Sequence, residues 1–186
     1  MKALLIIDVQ NDFCPGGNLP VNDGDLIVPV INRIMEYFPL VVASKDWHIP
    51  DTEHFKEWPV HCVQDTAGAE LHPELCQNKI NHVFLKGTHP GGDSYSAFEA
   101  TNLDLANYLK EKGIVDLYLA GLATDYCVKH SALDAVRKNF NTYVVEDAIK
   151  GVNLPIGSEQ KAIDEMKAAG VEFVWSDQVK RLLKVK

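Results

Sequence analysis

Reactive side chains stand at the ends of four consecutive apolar runs in this sequence. The first run ends at Asp8, the second at Lys45, Asp46 and His48, the third at Lys86, and the fourth passes through Gly121 towards Cys127. Brought together, a thiol, a carboxylate and an ammonium make a nucleophile, a proton acceptor and a cation that steadies negative charge. Cys127 follows a strand-like run and a small-residue turn, with a helix expected to start near Thr124 or Asp125. A sulfur in the first turn of a helix meets unpaired N–H groups and the positive dipole end, which favour thiolate and can hold an oxyanion. The bland reading is that Cys127 is a small buried hydrophobe, Asp8 a turn residue and Asp8–Lys86 a structural ion pair. The coincidence at four strand ends favours chemistry. His130 reads as packing or facing solvent, so Asp8 is the better proton acceptor, with Lys86 favouring both its ionised form and the developing thiolate. Cys62 and Cys76 lack such a setting and read as structural, while Cys14 stays open as a neighbour of the site.

A second group lies between positions 46 and 61, where Asp46, His48, His54 and His61 offer one carboxylate and three imidazoles. That donor set suits a divalent transition metal, zinc first, with iron and manganese also accommodated. Its spacing matches no common structural zinc motif, which points to an open, functional site. Scattered loop histidines are the alternative, and His72 and His89 read that way.

These residues need a scaffold that gathers strand ends. Apolar runs at 3–7, 40–43, 82–85, 116–120, 142–145 and 171–175 do not alternate strictly, as expected of strands buried on both faces of a parallel sheet. Helical spacing of apolar residues falls at 25–37, 103–112, 126–138 and 159–169, with a short final helix at 177–183; Gly113, Asn139 or Asn141, and Gly170 stand where helix C-caps belong. The alternation predicts one three-layer α/β/α domain over residues 1–186, with a central six-stranded, mainly parallel sheet. In such sheets ligands bind beyond the carboxyl ends of the strands. The irregular stretch 45–81 is long enough to be functional.

The composition is that of an ordinary globular domain, with 46% hydrophobic and 24% charged residues and a formal net charge of -8. That charge argues against nucleic-acid binding, and no Gly-rich phosphate loop follows the first strand. The apolar start is too short for a signal segment or a membrane span. A cytoplasmic protein without a membrane partner is expected, its four cysteines reduced. Homo-oligomerisation stays open.

The motifs Ile7-Asp8-Val-Gln-Asn-Asp12-Phe13, Lys45-Asp46-Trp-His48, Trp58-Pro-Val-His61-Cys62, Lys86-Gly87 and Gly121-Leu-Ala-Thr-Asp-Tyr-Cys127-Val resemble the isochorismatase-like cysteine hydrolases, within them the nicotinamidase (pyrazinamidase) branch, along nearly the whole chain. The resemblance implies a catalytic triad of Asp8, Lys86 and Cys127, and metal ligands Asp46, His48 and His61, with His54 at a ligand position that varies in the branch. It implies a cis peptide between Leu122 and Ala123 that turns the Ala123 and Cys127 N–H groups towards an oxyanion, and a pocket lined by Phe13, Trp58, Tyr95 and Leu122. Asp12 is expected to be structural. The implied reaction converts nicotinamide to nicotinate and ammonia through a cysteine thioester, with pyrazinamide as a further substrate. Two alternatives remain: another cysteine amidase or ureidohydrolase of the family, and a non-catalytic metal-binding scaffold. Many relatives of the first kind lack the metal set, and a scaffold is expected to lose part of the triad.

Overall fold

The computed structural model describes residues 1–91 and 93–184; Gly92, Val185 and Lys186, which fall within the expected domain span, lie outside the described residues. Six strands form one sheet in the order β3-β2-β1-β4-β5-β6: β1 Lys2–Ile7, β2 Val41–Asp46, β3 His82–Lys86, β4 Asp116–Leu122, β5 Asn141–Lys150 and β6 Glu172–Val174. Every pairing is parallel, so the sheet is wholly rather than mainly parallel. Successive side chains of a strand point to opposite faces, and β1 shows the consequence. Leu4 and Ile6 enter one hydrophobic core, while Ala3, Leu5 and Ile7 enter the other. Both faces need apolar residues, which is why the runs lack a polar alternation.

Among the described residues five α-helices cover the two faces: α1 Val28–Met35, α2 Leu105–Glu111, α3 Lys129–Arg137, α4 Ser158–Ala168 and α5 Ser176–Lys184. α1 contributes Ile31 and Ile34, and α5 contributes Val179, to the first core. α2, α3 and α4 bury Leu109, Ala132 and Met166 in the second. Asp104 caps α2 by accepting from Asn107 N–H at 2.9 Å, and the backbone is left-handed at Gly113, Asn139 and Gly170, where the caps were expected. The first helix starts later than expected. Residues Gly24–Ile27 form a 3-10 turn, and the α-helix begins only at Val28, with Pro29 in its first turn, where the missing N–H has no helical partner to lose. No helix among the described residues is long and apolar enough to cross a membrane.

The strand order reverses between β1 and β4. β1 pairs with β2 on one side and β4 on the other, so a crevice opens beyond their carboxyl ends. Asp8 follows β1 there, and β4 leads through Leu122 to the turn carrying Cys127.

Candidate active site

Close approach of β1 and β4 at their carboxyl ends depends on Gly121. Its φ is +127°, and a Cβ there would lie 2.0 Å from the Ile7 carbonyl oxygen. The next peptide, Leu122–Ala123, is cis. The chain then enters a wide π-helical turn, Thr124–Val128, in place of the regular helix start expected there. The Ala123 carbonyl accepts from both Tyr126 N–H and Val128 N–H at 3.1 Å. This turn sets Cys127 at the floor of a pocket whose wall includes Leu122 and Ala123.

Lys86 lies at the centre of the buried cluster. Its Nζ is 3.0 Å from Asp8 Oδ2, pairs with Asp46 Oδ1, and lies 3.5 Å from Cys127 Sγ. It also donates to the Ser94 carbonyl at 3.1 Å. Both Lys86 and Asp8 are 0% exposed. Burial favours the neutral amine, yet Asp46 and Asp8 more than offset it and hold Lys86 charged, well above its ordinary pKa. Burial likewise acts to raise Asp46, but Lys86 wins and keeps that carboxyl below the usual range. Asp8 goes the other way, its pKa raised by burial despite Lys86. The Cys127 thiol is also pushed well above its ordinary value, by burial first and by Asp8 and Asp46, against the pull of Lys86. Burial thus acts against the pull of the turn and of Lys86 towards thiolate and favours the protonated thiol.

Asp46, His48, His54 and His61 converge beside this cluster. The three histidines can bring one nitrogen each within 4.8 Å of one another, and Asp46 Oδ2 lies 3.7 Å from His48 Nε2. His48 Nδ1 is 3.1 Å from the Gly87 carbonyl, and His61 Nδ1 is 2.7 Å from the Pro59 carbonyl. Carbonyls only accept, so each Nδ1 carries a proton, and in a neutral ring that tautomer leaves the Nε2 lone pair facing away from the carbonyl. His48 Nε2 is buried with no hydrogen-bond partner, an orphan that an ion would satisfy. Burial lowers the His61 pKa to about 4, so that ring is neutral near pH 7. The donor set fits a divalent transition metal on its chemistry as well as its convergence.

Above the two clusters lies an aromatic pocket. Phe13, Trp58, Tyr95 and Leu122 all line it, as do Asp46, His54 and His61, while His48 sits behind them. Trp58 Nε1 donates to Tyr95 Oη at 3.2 Å, and Trp58 meets the Tyr126 ring edge-on at 5.2 Å. His130 is exposed and stacks on Tyr95 at 5.2 Å, so it both packs and faces solvent. Cys14 is buried in the first core, is not among the pocket residues, and its thiol is pushed up to about 11 by burial. Asp12 is structural: its Oδ2 accepts from Cys62 N–H at 2.7 Å and its Oδ1 from Asn18 N–H at 3.1 Å.

Several supporting residues were not singled out from the sequence. Ser44 Oγ donates to Asp8 Oδ1 at 2.6 Å. Gln10 clamps the Asp46 backbone, accepting from its N–H and donating to its carbonyl, both at 2.8 Å. Asp125 accepts from Val152 N–H and Asn153 N–H at 2.9 Å and from Ser158 Oγ at 2.6 Å. It thereby ties the loop carrying the pocket residue Val152 to the turn of Cys127. A Gln, a Ser and an Asp are common residues, and only the position of Gln10 and Ser44 close to Asp8 and Asp46 in the sequence hinted at them.

The fold is thus a wholly parallel α/β sheet that carries a buried thiol–carboxylate–ammonium cluster at its switch point. Residues 2–178 match the isochorismatase domain, and the chain belongs to the isochorismatase family. It is 41% identical to a nicotinamidase of Acinetobacter baylyi (strain ATCC 33305 / BD413 / ADP1), over 95% of this chain and 94% of that protein. Among solved structures it resembles a pyrazinamidase of Pyrococcus horikoshii in complex with zinc, with a TM-score of 0.85, 41% identity, and coverage of 94% of this chain and 98% of that one. It also resembles PnC1 from L. infantum in complex with nicotinate, with a TM-score of 0.89, 36% identity, and coverage of 95% and 93% respectively.

Proposed function

We propose that this protein is a nicotinamidase that hydrolyses nicotinamide to nicotinate and ammonia, and pyrazinamide in the same way. The observation that carries the reading is the position of Lys86 Nζ, 3.0 Å from Asp8 and 3.5 Å from Cys127, beneath an aromatic pocket with three convergent histidines. Relatives named as nicotinamidases and structures with zinc or nicotinate support it. In this reading the chain is one cytoplasmic hydrolase domain, with Asp8, Lys86 and Cys127 as catalytic residues.

Asp8 takes the Cys127 proton as Sγ adds to the carboxamide carbon. The C=O pair moves to oxygen, where the Ala123 and Cys127 N–H groups stabilise the charge. The tetrahedral adduct reforms its carbonyl and breaks the C–N bond, and Asp8 returns the proton to the departing nitrogen, giving ammonia and a thioester. Water, losing a proton to Asp8, adds to the thioester carbon; expulsion of the sulfur and its reprotonation regenerate the thiol and give nicotinate. Lys86 keeps the cluster from accumulating unpaired negative charge. Asp46 and Asp8 raise its pKa and so favour its cationic form. Phe13, Trp58, Tyr95 and Leu122 hold a flat ring and exclude water. Asp46, His48 and His61, with His54, would hold a divalent transition metal, zinc first. The chemistry such an ion supplies is that of a Lewis acid, an anchor for the lone pair of a pyridine nitrogen.

The test is ammonia release from nicotinamide, with metal analysis of the same sample. Cys127→Ala is expected to retain nicotinate binding and to lose turnover. Turnover near the wild-type level in that variant removes the thiol from the mechanism.

A further inference from the structure

The three histidines of the site differ in what stands behind them. His48 and His61 present Nδ1 to the backbone carbonyls of Gly87 and Pro59. His54 Nδ1 instead lies 2.6 Å from Asp93 Oδ1, a carboxylate 39 residues along the chain. The His54 side chain is 6% exposed and that of Asp93 40% exposed, so a nearly buried imidazole has its outer nitrogen held by a group at the surface. Asp93 is itself anchored through the next two residues of the chain. The Ser94 carbonyl accepts from Lys86 Nζ at 3.1 Å, and Tyr95 Oη accepts from Trp58 Nε1 at 3.2 Å. Three successive residues thus touch the histidine set, the buried lysine and the pocket wall.

We infer that Asp93 is the positioning residue that makes His54 a metal ligand, holding the proton on Nδ1 and turning the Nε2 lone pair towards Asp46, His48 and His61. A carboxylate behind a ligating imidazole fixes its tautomer and orientation and strengthens the opposite nitrogen as a donor. His54 needs this more than its neighbours do. It sits on the short 3-10 turn Glu53–Lys56, whereas His48 is itself bridged to Val63, two residues after His61. The inference rests on the proposed function of the histidine set as a metal site.

The experiment uses the full chain, stripped with a chelator. It is titrated with Zn2+ against a chromophoric competitor, and separately with Co2+ while its visible absorption is read. Asp93→Ala is expected to weaken Zn2+ binding roughly tenfold to hundredfold. Asp93→Asn, which keeps an acceptor oxygen without the charge, should lose less. The Co2+ spectrum of Asp93→Ala should move towards that of His54→Ala, and in the His54→Ala background Asp93→Ala should cost nothing further. If Asp93→Ala disturbs the thermal midpoint, the isosteric Asp93→Asn carries the comparison. Wild-type Zn2+ affinity in both Asp93 variants overturns the inference, as does an equal loss with and without His54. A wild-type chain that takes up neither Zn2+ nor Co2+ overturns the metal reading as well, a result distinct from a binding wild type with indifferent Asp93 variants.

Discussion

Replacing Lys86 by Met keeps the length and most of the volume of the side chain while deleting the charge at the centre of the site. The wild-type contact at 3.0 Å between Nζ and Asp8 Oδ2 corresponds to about 5–6 kcal/mol of Coulomb attraction at an effective dielectric of about 20, much of it offset by the desolvation of both groups. Removing the cation leaves Asp8 and Asp46, respectively 0% and 4% exposed, facing each other without a counter-charge. Breaking a buried pair in this way costs about 3–5 kcal/mol, a large share of the stability of an ordinary domain. The loss should depend on pH. Without Lys86 both carboxyls titrate at higher pH in the folded protein than they do in wild type, while their unfolded values are unchanged. The folded variant therefore binds more protons, and the wild-type advantage grows as pH rises through that interval. Urea unfolding of metal-stripped proteins, compared at about pH 5 and about pH 7.5, reads the difference directly, provided that the slope m is unchanged. Adding Asp8→Asn to Lys86→Met should restore part of the loss at the higher pH, because one of the two unpaired charges is then gone. Turnover of nicotinamide by Lys86→Met should fall by about 10²–10³-fold, the usual scale for removing one preorganised electrostatic partner. A variant within about 1 kcal/mol of wild type at the higher pH, or a gap that ignores pH, would refute the account of Lys86 as the charge that holds this cluster together.

Gly121→Ala should be damaging out of proportion to one methyl group. The left-handed backbone costs about 1–3 kcal/mol for a residue with a side chain, and the 2.0 Å approach of its Cβ to the Ile7 carbonyl forces a backbone shift costing about 1–3 kcal/mol more. Because that shift separates Asp8 from Cys127, kcat should fall even where the variant remains folded; wild-type kcat and thermal midpoint together would contradict this view of the β1–β4 junction. Stripping the metal should raise the apparent dissociation constant for nicotinate before it changes the unfolding midpoint appreciably, and Zn2+ should restore affinity. Unchanged binding by isothermal titration after complete removal would detach Asp46, His48 and His61 from the ligand.

The residues proposed to do chemistry stand out in the sequence because their types are unusual where they stand. An aspartate, a lysine and a cysteine directly beyond strands buried on both faces have few cheap structural explanations, and sheet topology then leaves them one crevice to share. Strand positions followed from runs such as 3–7, whose two faces enter separate cores. Where a polar residue is paired only by tertiary structure, the pattern misled. β5 extends to Lys150, well past the apolar run at 142–145, because the strand continues through Glu146 and Asp147; Asp147 is engaged by Ser176 N–H and Oγ. The π-helical turn at Thr124–Val128 was invisible because one wider turn leaves too little periodicity to distinguish it from the start of an α-helix. Gln10, Ser44, Asp93 and Asp125 share the same difficulty. Each is defined by which distant atom it bonds, and a neutral amide, a hydroxyl or a carboxylate carries no mark of that partner in its type. The chemistry of this site was therefore written in residue identity, while the precision of its geometry was written in contacts that only folding creates.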